Sequence, residues 1–262
     1  MKRTWNFSDI EFVVLWEEMR DRVLPRPFVF TSRIPYRDDY LREKLRVRER
    51  LHHELGRSCD DLLESVARPD IRIIVNGRGG RDPRDPEERI RVLGVRRGGA
   101  AYVMRQLPGE TVWHSGGFTA VEHDALSLAD AVVAALPKAD AGEHGEIVLA
   151  SQVAARDDMD YSFGRSFVED RSDEWVRPRS HTFLGAATQR IGEIEISQGR
   201  SKFGPRGVTR RTFGWRDLED DGRYLITADT PPIAKPADAS QATGMINGAI
   251  ADIVRAIREE RG

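Results

Sequence analysis

The 262-residue sequence predicts an α+β fold, a pseudo-two-fold and mainly antiparallel central β-sheet flanked by helices. Three observations predict it. Two blocks of short β-branched runs, punctuated by glycine and proline, occupy residues 70–113 and 189–227. Each block is followed by a stretch with apolar residues at helical spacing, 118–136 and 240–260. Neither block can bury a sheet face and a helix stripe by itself, so pairing the halves into one sheet is the arrangement that hides both. The halves are placed at 1–137 and 138–262, forming one continuous globular unit.

The elements follow in order. Trp5-Asn6-Phe7 is a short apolar opening. Ser8 stands three residues before Glu11, the spacing of a capping box, and Phe12, Leu15, Trp16 and Met19 follow at helical period. Leu24-Pro25-Arg26-Pro27 ends that helix because proline cannot continue it, and Phe28-Val29-Phe30 reads as extended. A charged helix is expected over 38–55, with Tyr40, Leu41, Leu45 and Leu51 as a thin apolar stripe and Gly56 as its cap. A third, over 58–67, closes at Arg68-Pro69. The first strand block reads as 71–75, a long polar loop over 77–88, 89–95, a Gly98-Gly99 turn, 101–104, a Pro108-Gly109 turn and 111–113. Its helix, 118–136, carries Ala125, Leu128, Ala129, Val132, Val133 and Leu136 and stops at Pro137. Residues 139–145 are the expected boundary between halves, and 146–149 read as a strand or a helix lead-in. The acidic, aromatic stretch 151–179 has no clear period. Strands return at 189–197, 207–215 and 222–227. The closing helix places Ala242, Met245, Ile246, Ala249, Ile250, Ile253, Val254 and Ile257 on one face.

Composition narrows the function. Forty-one Lys+Arg stand against 43 Asp+Glu, a net charge of −2, which gives no overall pull toward nucleic acid or an anionic membrane. The basic residues are 36 Arg and 5 Lys, and they alternate with acids, as in Arg81-Asp82-Pro83-Arg84-Asp85. That pattern is a self-neutralising surface rather than a basic stripe, so a nucleic-acid binder is disfavoured. A single Cys excludes an internal disulfide framework and any multi-Cys metal site. No apolar run approaches the roughly 18 residues that span a bilayer, and residues 1–12 lack the apolar core of a signal peptide. The expectation is a soluble, cytoplasmic protein without membrane insertion.

The search for catalytic chemistry is mostly negative. His-Glu-x-x-His, Gly-x-Ser-x-Gly and Walker A patterns are absent. Gly77-Arg78-Gly79-Gly80 could offer backbone N–H groups to a phosphate. On it rests the alternative function: an enzyme or binding protein for a phosphorylated or anionic small molecule. Asp82-Pro83 and Asp85-Pro86 follow where a phosphate cradle needs a helix start, so a plain hairpin loop is favoured. His52 and His53 point different ways on a helix, and His114-Ser115-Gly116-Gly117 lacks the glycine before the serine that a nucleophile elbow requires. Asp157, Asp158 and Asp160 resemble a fragment of a calcium loop without its glycine or its closing glutamate. Cys59 has no neighbouring histidine and reads as structural. What remains is surface: the long charged loop, and aromatics on or beside strands (Tyr102, Trp113, Phe203, Phe213, Trp215). Together they suit a platform for a partner's helical tip.

The C-terminal block also carries a family likeness. Gly192-Glu193-Ile194-Glu195-Ile196 is followed by Thr212-Phe213-Gly214-Trp215-Arg216-Asp217. Asp221-Gly222-Arg223-Tyr224-Leu225 and a Pro236-Ala237-Asp238 start to the last helix complete the run. With the early Trp and Phe, Leu24-Pro25-Arg26-Pro27 and Ala67-Arg68-Pro69, the chain resembles the EspG family of type VII (ESX) secretion-associated chaperones over nearly its whole length. The stretch 156–179 fits that likeness poorly. The resemblance implies a non-enzymatic cytosolic protein with no metal or cofactor. It would grip the hydrophobic tip of the PPE subunit of a PE–PPE heterodimer and keep the pair soluble for export, and it leaves a weak homodimer open. It also implies that the loop between early strands and the region from Gln189 onward meet the partner. Arg81, Asp82, Arg84 and Asp85 are then the expected rim, and Phe213 and Trp215 the apolar centre.

Overall fold

A computed structural model describes residues 2–19, 23–55, 58–149 and 173–262 of the chain. The strands are β1 (Thr4–Phe7), β2 (Ile71–Gly79), β3 (Ile90–Arg97), β4 (Ala100–Pro108), β5 (Ser115–Asp124), β6 (Ile147–Val148), β7 (Thr188–Gln198), β8 (Arg210–Leu218), β9 (Arg223–Thr227) and β10 (Ile233–Pro236). The helices are α1 (Asp9–Glu18), α2 (Arg37–Glu54), α3 (Asp60–Ala67), α4 (Leu128–Ala134), α5 (Asp173–Gly185) and α6 (Ala239–Arg261). All ten strands join one sheet in the order β1-β5-β4-β3-β2-β7-β8-β9-β10-β6. Its neighbouring pairs are antiparallel. β2 and β7 meet in the middle, paired from Ile71↔Gln198 to Gly79↔Arg190. From that seam the chain steps outward through β3, β4 and β5 on one side and β8, β9 and β10 on the other.

Alternation along the central strands decides what each face is made of. On one face Ile71, Ile73 and Val75 of β2, Ile194 and Ile196 of β7, and Leu225 of β9 form a continuous core under α4 and α6. The apolar stripe of α6 lands there as its spacing predicts, with Ala242, Ile246, Ala249 and Ile253 buried. Its start is a capping box: Asp238 accepts from the Gln241 N–H and Gln241 from the Asp238 N–H, both at 2.8 Å. Gly94 lets α4 come close, since a Cβ there would stand 2.7 Å from Val132 Cγ2. On the opposite face α1, α2 and α3 cover the outer N-terminal strands through Phe12, Trp16, Leu51 and Leu62 against Leu93, Tyr102, Met104 and Phe118. The Ser8–Glu11 capping box that starts α1 is present in both directions. On that same face α5 covers β8, β9, β10 and β6 through Phe183 against Leu218, Tyr224 and Ala234.

Trp215 of β8 is the largest fully buried side chain and is 1% exposed. It lies across the seam into a space that only two glycines leave. A Cβ on Gly77 would stand 2.7 Å from Trp215 Cη2, and one on Gly192 would stand 2.9 Å from Trp215 Cζ3. Beside it runs a buried ion pair: Arg223 donates to Asp217 through Nε at 2.7 Å and Nη2 at 2.9 Å. The same guanidinium donates to the Pro137 carbonyl at 2.9 Å and lies over the Trp215 ring, 5.6 Å from its centroid. The backbone of Arg223 holds 139–145: its N–H donates to Asp140 O, and Gly142 N–H donates to its carbonyl.

Four readings change. Residues 111–113 form a turn rather than a strand, and β5 takes the first part of the expected 118–136 helix, leaving α4 as Leu128–Ala134. The reason is pairing on both sides: β5 lies between β1 and β4, with Phe118 and Ala120 buried in alternation. The opening residues 4–7 are therefore a strand, which propensity over so short a run could not assign. Gly77 and Gly79 belong to β2 rather than to a loop, and their ladder groups are engaged by β3 or β7. The Gly80 N–H donates to Gln189 O at 2.9 Å, so Gly77–Gly80 offers no free cradle for a phosphate. β8 begins at Arg210, later than expected, because Pro205–Gly207 makes a 3₁₀ turn. The expected Gly56 cap and the Asp157, Asp158 and Asp160 fragment lie outside the described residues.

Two substitutions test the seam. Trp215→Ala is expected to cost about 3–5 kcal/mol, the usual range for emptying a buried tryptophan site. Gly77→Val is expected to cost about 1–3 kcal/mol by overpacking against the indole. Urea denaturation of both variants checks the pair, and a Gly77→Val midpoint equal to wild type overturns the packing account.

Candidate functional site

Between the two covered patches the sheet face is left open, and its side chains are polar where the opposite face is apolar. The residues come from β2, β3, β7 and β8 in cross-strand rows set by register. One row runs Arg91, Asn76, Glu193, Gly214, Ile226. The next, towards the other strand ends, begins with Leu93 and Ile74, buried in the core under the N-terminal helices, and continues with Glu195 and Thr212. Asn76 and Glu193 are exposed, while Arg91, Gly214 and Thr212 are half-buried. Charge along this strip is uneven. Glu195 is buried and faces three guanidiniums: Arg210 at 3.1 Å, Arg26 at 3.7 Å, and Arg72 on the adjacent strand. Burial and the Arg26 charge hold Arg72 below the ordinary arginine value despite Glu195, and its buried Nε has no hydrogen-bond partner. Arg91 donates to the Val112 carbonyl at 2.7 Å. Burial, with Arg89 alongside, lowers its pKa.

The strip is bounded by α5 at one side. Arg216 of β8 is buried and donates to the carbonyls of Phe183 (2.9 Å), Leu184 (3.1 Å) and Ala186 (3.3 Å) at the end of α5. A cation is favoured at a helix C-terminus, so the anchor is electrostatic as well as geometric. Beneath α5 lies an apolar hollow of about 390 Å³ lined by Ile147, Phe183 and Leu218 with His144 and Asp221 at its rim. There the Tyr224 hydroxyl donates to Asp221 Oδ2 at 2.7 Å, and the Glu143 N–H donates to Asp221 Oδ1 at 2.5 Å. Burial and Asp221 push the tyrosine up to about 12. Burial acts to raise the Asp221 carboxyl, but the Glu143 N–H, the Tyr224 hydroxyl and His144 outweigh it and hold the group below its ordinary value.

The expected rim residues lie on the loop joining β2 to β3. Arg81 is 82% exposed and makes a two-pronged pair with Glu219, Nε at 2.7 Å and Nη2 at 2.6 Å. Asp82 accepts from the Arg84 N–H at 2.8 Å and Asp85 from the Glu87 N–H at 2.9 Å, so each aspartate closes a turn on itself. Arg84 is exposed. The structure thus groups these four on one loop tied to the β8–β9 turn. Phe213 and Trp215 lie on the other sheet face, against α6. Trp215 has no surface to offer, which removes it from any contact centre in this conformation; Phe213 is half-buried beside Arg211 and Ala249. Of the other aromatics, Tyr102 is core, while Trp113 and Phe203 are exposed. The strip residues Asn76, Arg91, Glu193 and Gly214 are not among the site residues expected from sequence, although Glu193 and Gly214 lie in the runs that carry the family likeness. The signal was there: Glu193 and Glu195 alternate with Ile194 and Ile196, the mark of one covered and one uncovered face.

Among the described residues no group of three or more His, Cys, Asp or Glu is placed to hold a metal ion. Nor is any described helix long and apolar enough to cross a membrane. Cys59 is buried, and burial raises its thiol pKa.

With this geometry established, the family model described as EspG family matches residues 8–248. The chain belongs to the EspG family. A solved structure of a similar fold is the Mycobacterium tuberculosis type VII secretion system chaperone EspG5 in complex with the PE25–PPE41 dimer. It is 14% identical, with a TM-score of 0.56 over 95% of this chain and 96% of that one. At that identity the likeness is one of fold. No curated protein matches the chain. In this EspG-family protein the matched span takes in the whole central sheet from β2 to β10.

Two expectations follow. Arg81→Ala is expected to leave the melting temperature unchanged, because an exposed pair contributes little, while speeding amide exchange over residues 80–89. Exchange at the wild-type rate would show that Glu219 does not hold the loop. Asp221 has a depressed pKa in the folded state, so its contribution is complete above the unfolded value of about 3.9 and is lost as pH falls through the lower folded value. Urea midpoints at pH 7 and pH 3 should therefore fall further for wild type than for Asp221→Asn.

Proposed function

We propose that this EspG-family protein is a cytosolic chaperone of type VII secretion that acts by binding. Its partner is a PE–PPE heterodimer, engaged through the apolar tip of the PPE subunit and kept soluble before export. The observation that carries the reading is the family match over residues 8–248. The fold match to EspG5, solved with PE25–PPE41, supports it. The geometry supports this reading. An open sheet strip lies between two helix-covered patches, and covering a partner's apolar tip removes an aggregation surface. In this reading the strip receives the tip, and Arg81, Asp82, Arg84 and Asp85 form a charged rim. Phe213 and Trp215 support the strip from the other face rather than touching the tip. The Gly77–Gly80 alternative has no observation in its favour, since those glycines are spent on pairing and on making room for Trp215.

The test is co-expression with a panel of PE–PPE heterodimers, followed by size-exclusion chromatography with light scattering. A soluble complex with one copy of each chain is expected for at least one pair, and Arg84→Glu is expected to weaken it about tenfold by reversing a rim charge. Absence of co-elution with every pair overturns the reading.

A further inference from the structure

The open strip carries an uncompensated charge pattern. Arg89 and Arg91 stand two residues apart on the same side of the β3 end, each with the other as a charged neighbour. Neither has an ion pair to a carboxylate among the described residues, and the buried Nε of Arg89 has no hydrogen-bond partner. Like charges so placed are unfavourable unless something answers them. Two strands away, in the Arg91 row, Glu193 is exposed and also lacks an ion pair among the described residues. Two inter-strand steps put the two backbones about 9–10 Å apart. Other arginines, Arg3, Arg33, Arg50, Arg81 and Arg211 among them, do have an acidic partner.

The same row contains a glycine that nothing inside the protein explains. Gly77, Gly94 and Gly192 are each required by a side chain packed over them. At Gly214 a Cβ would meet Ile226 at 3.5 Å, an ordinary contact, so a side chain would fit the folded monomer. A strand glycine without an internal reason marks a place where another backbone approaches.

We infer that the row Arg91–Asn76–Glu193–Gly214 reads charge on a protein partner: an acidic side chain meets Arg89 and Arg91, the chain passes over Asn76, a basic side chain about 10 Å away meets Glu193, and the chain runs on over Gly214. The inference rests on the chaperone reading and gives its docking surface a specificity. The occupant is a protein segment rather than a free phosphate, because a phosphate answers the arginines and leaves Glu193 unmet. Guanidinium pairs suit a carboxylate, whose two oxygens match the fork.

The test uses the full chain and whichever PE–PPE heterodimer co-purifies with it, measured by biolayer interferometry at two salt concentrations. Arg89→Glu and Glu193→Arg are each expected to weaken binding about tenfold or more, most strongly at low salt. Gly214→Val is expected to weaken binding at an unchanged melting temperature. Arg89→Ala is the second variant, since that side chain makes no hydrogen bond or ion pair among the described residues, and its melting temperature is measured alongside. Binding within twofold of wild type for all of these overturns the strip while leaving the chaperone reading standing. If no heterodimer binds the wild-type chain, the chaperone reading fails, and the strip with it. A melting-temperature rise in millimolar inorganic phosphate that Arg89→Ala abolishes, with heterodimer binding unaffected, also overturns the inference by naming a small anion as the occupant.

Discussion

Trp215 stands where the two halves of the sheet meet, and much of the molecule is arranged around its indole. The ring crosses from β8 over the β7 glycine to the β2 glycine, so three strands from both halves share one buried side chain. A flat aromatic group in that position contributes several kcal/mol of burial and fixes the lateral order of the strands at the same time. Arg223 lies on its face and reaches both Asp217 and the carbonyl of Pro137, so the segment leaving α4 is tied to the same point. Removing one member of a buried, hydrogen-bonded pair leaves the other charge stranded, which makes this cluster intolerant of piecemeal change.

The consequence appears on the opposite face. Because the indole and the α6 stripe take up the apolar side chains of β7 and β8, the alternate residues are free to be Glu193, Glu195, Thr212, Gly214 and Arg210. Glu195 is answered by arginines from three segments, whereas half-buried Arg89 and Arg91 have no carboxylate partner, and exposed Glu193 no cationic one, among the described residues. A polar face of this kind stays hydrated where an apolar one would associate.

Much of the fold was legible because periodicity is local. The α6 stripe, the α1 capping box and the alternating runs of β2, β3 and β7 needed no tertiary information. The failures share one cause. β5 was read as helix because Ala125, Leu128 and Val132 do belong to a helical pattern, and nothing local says that Phe118 and Ala120 are held between β4 and the distant opening strand β1. Gly77 of β2 resembled a loop residue because what demands it, the Trp215 ring, lies over a hundred residues later. For the same reason Trp215 looked like a surface aromatic. Exposure of the loop carrying Arg81 and Arg84 was readable from its Asp-Pro turns, but its tie to Glu219 was not.

The sheet ends in β1 and β6, strands of four and two residues. A ten-stranded sheet with long bare margins would present rows of unpaired N–H and C=O groups, and such rows recruit further strands. Among the described residues each margin is too short to template much pairing, with β6 contributing Ile147 and Val148. The sheet can therefore be wide without offering a long edge on which further copies would polymerise.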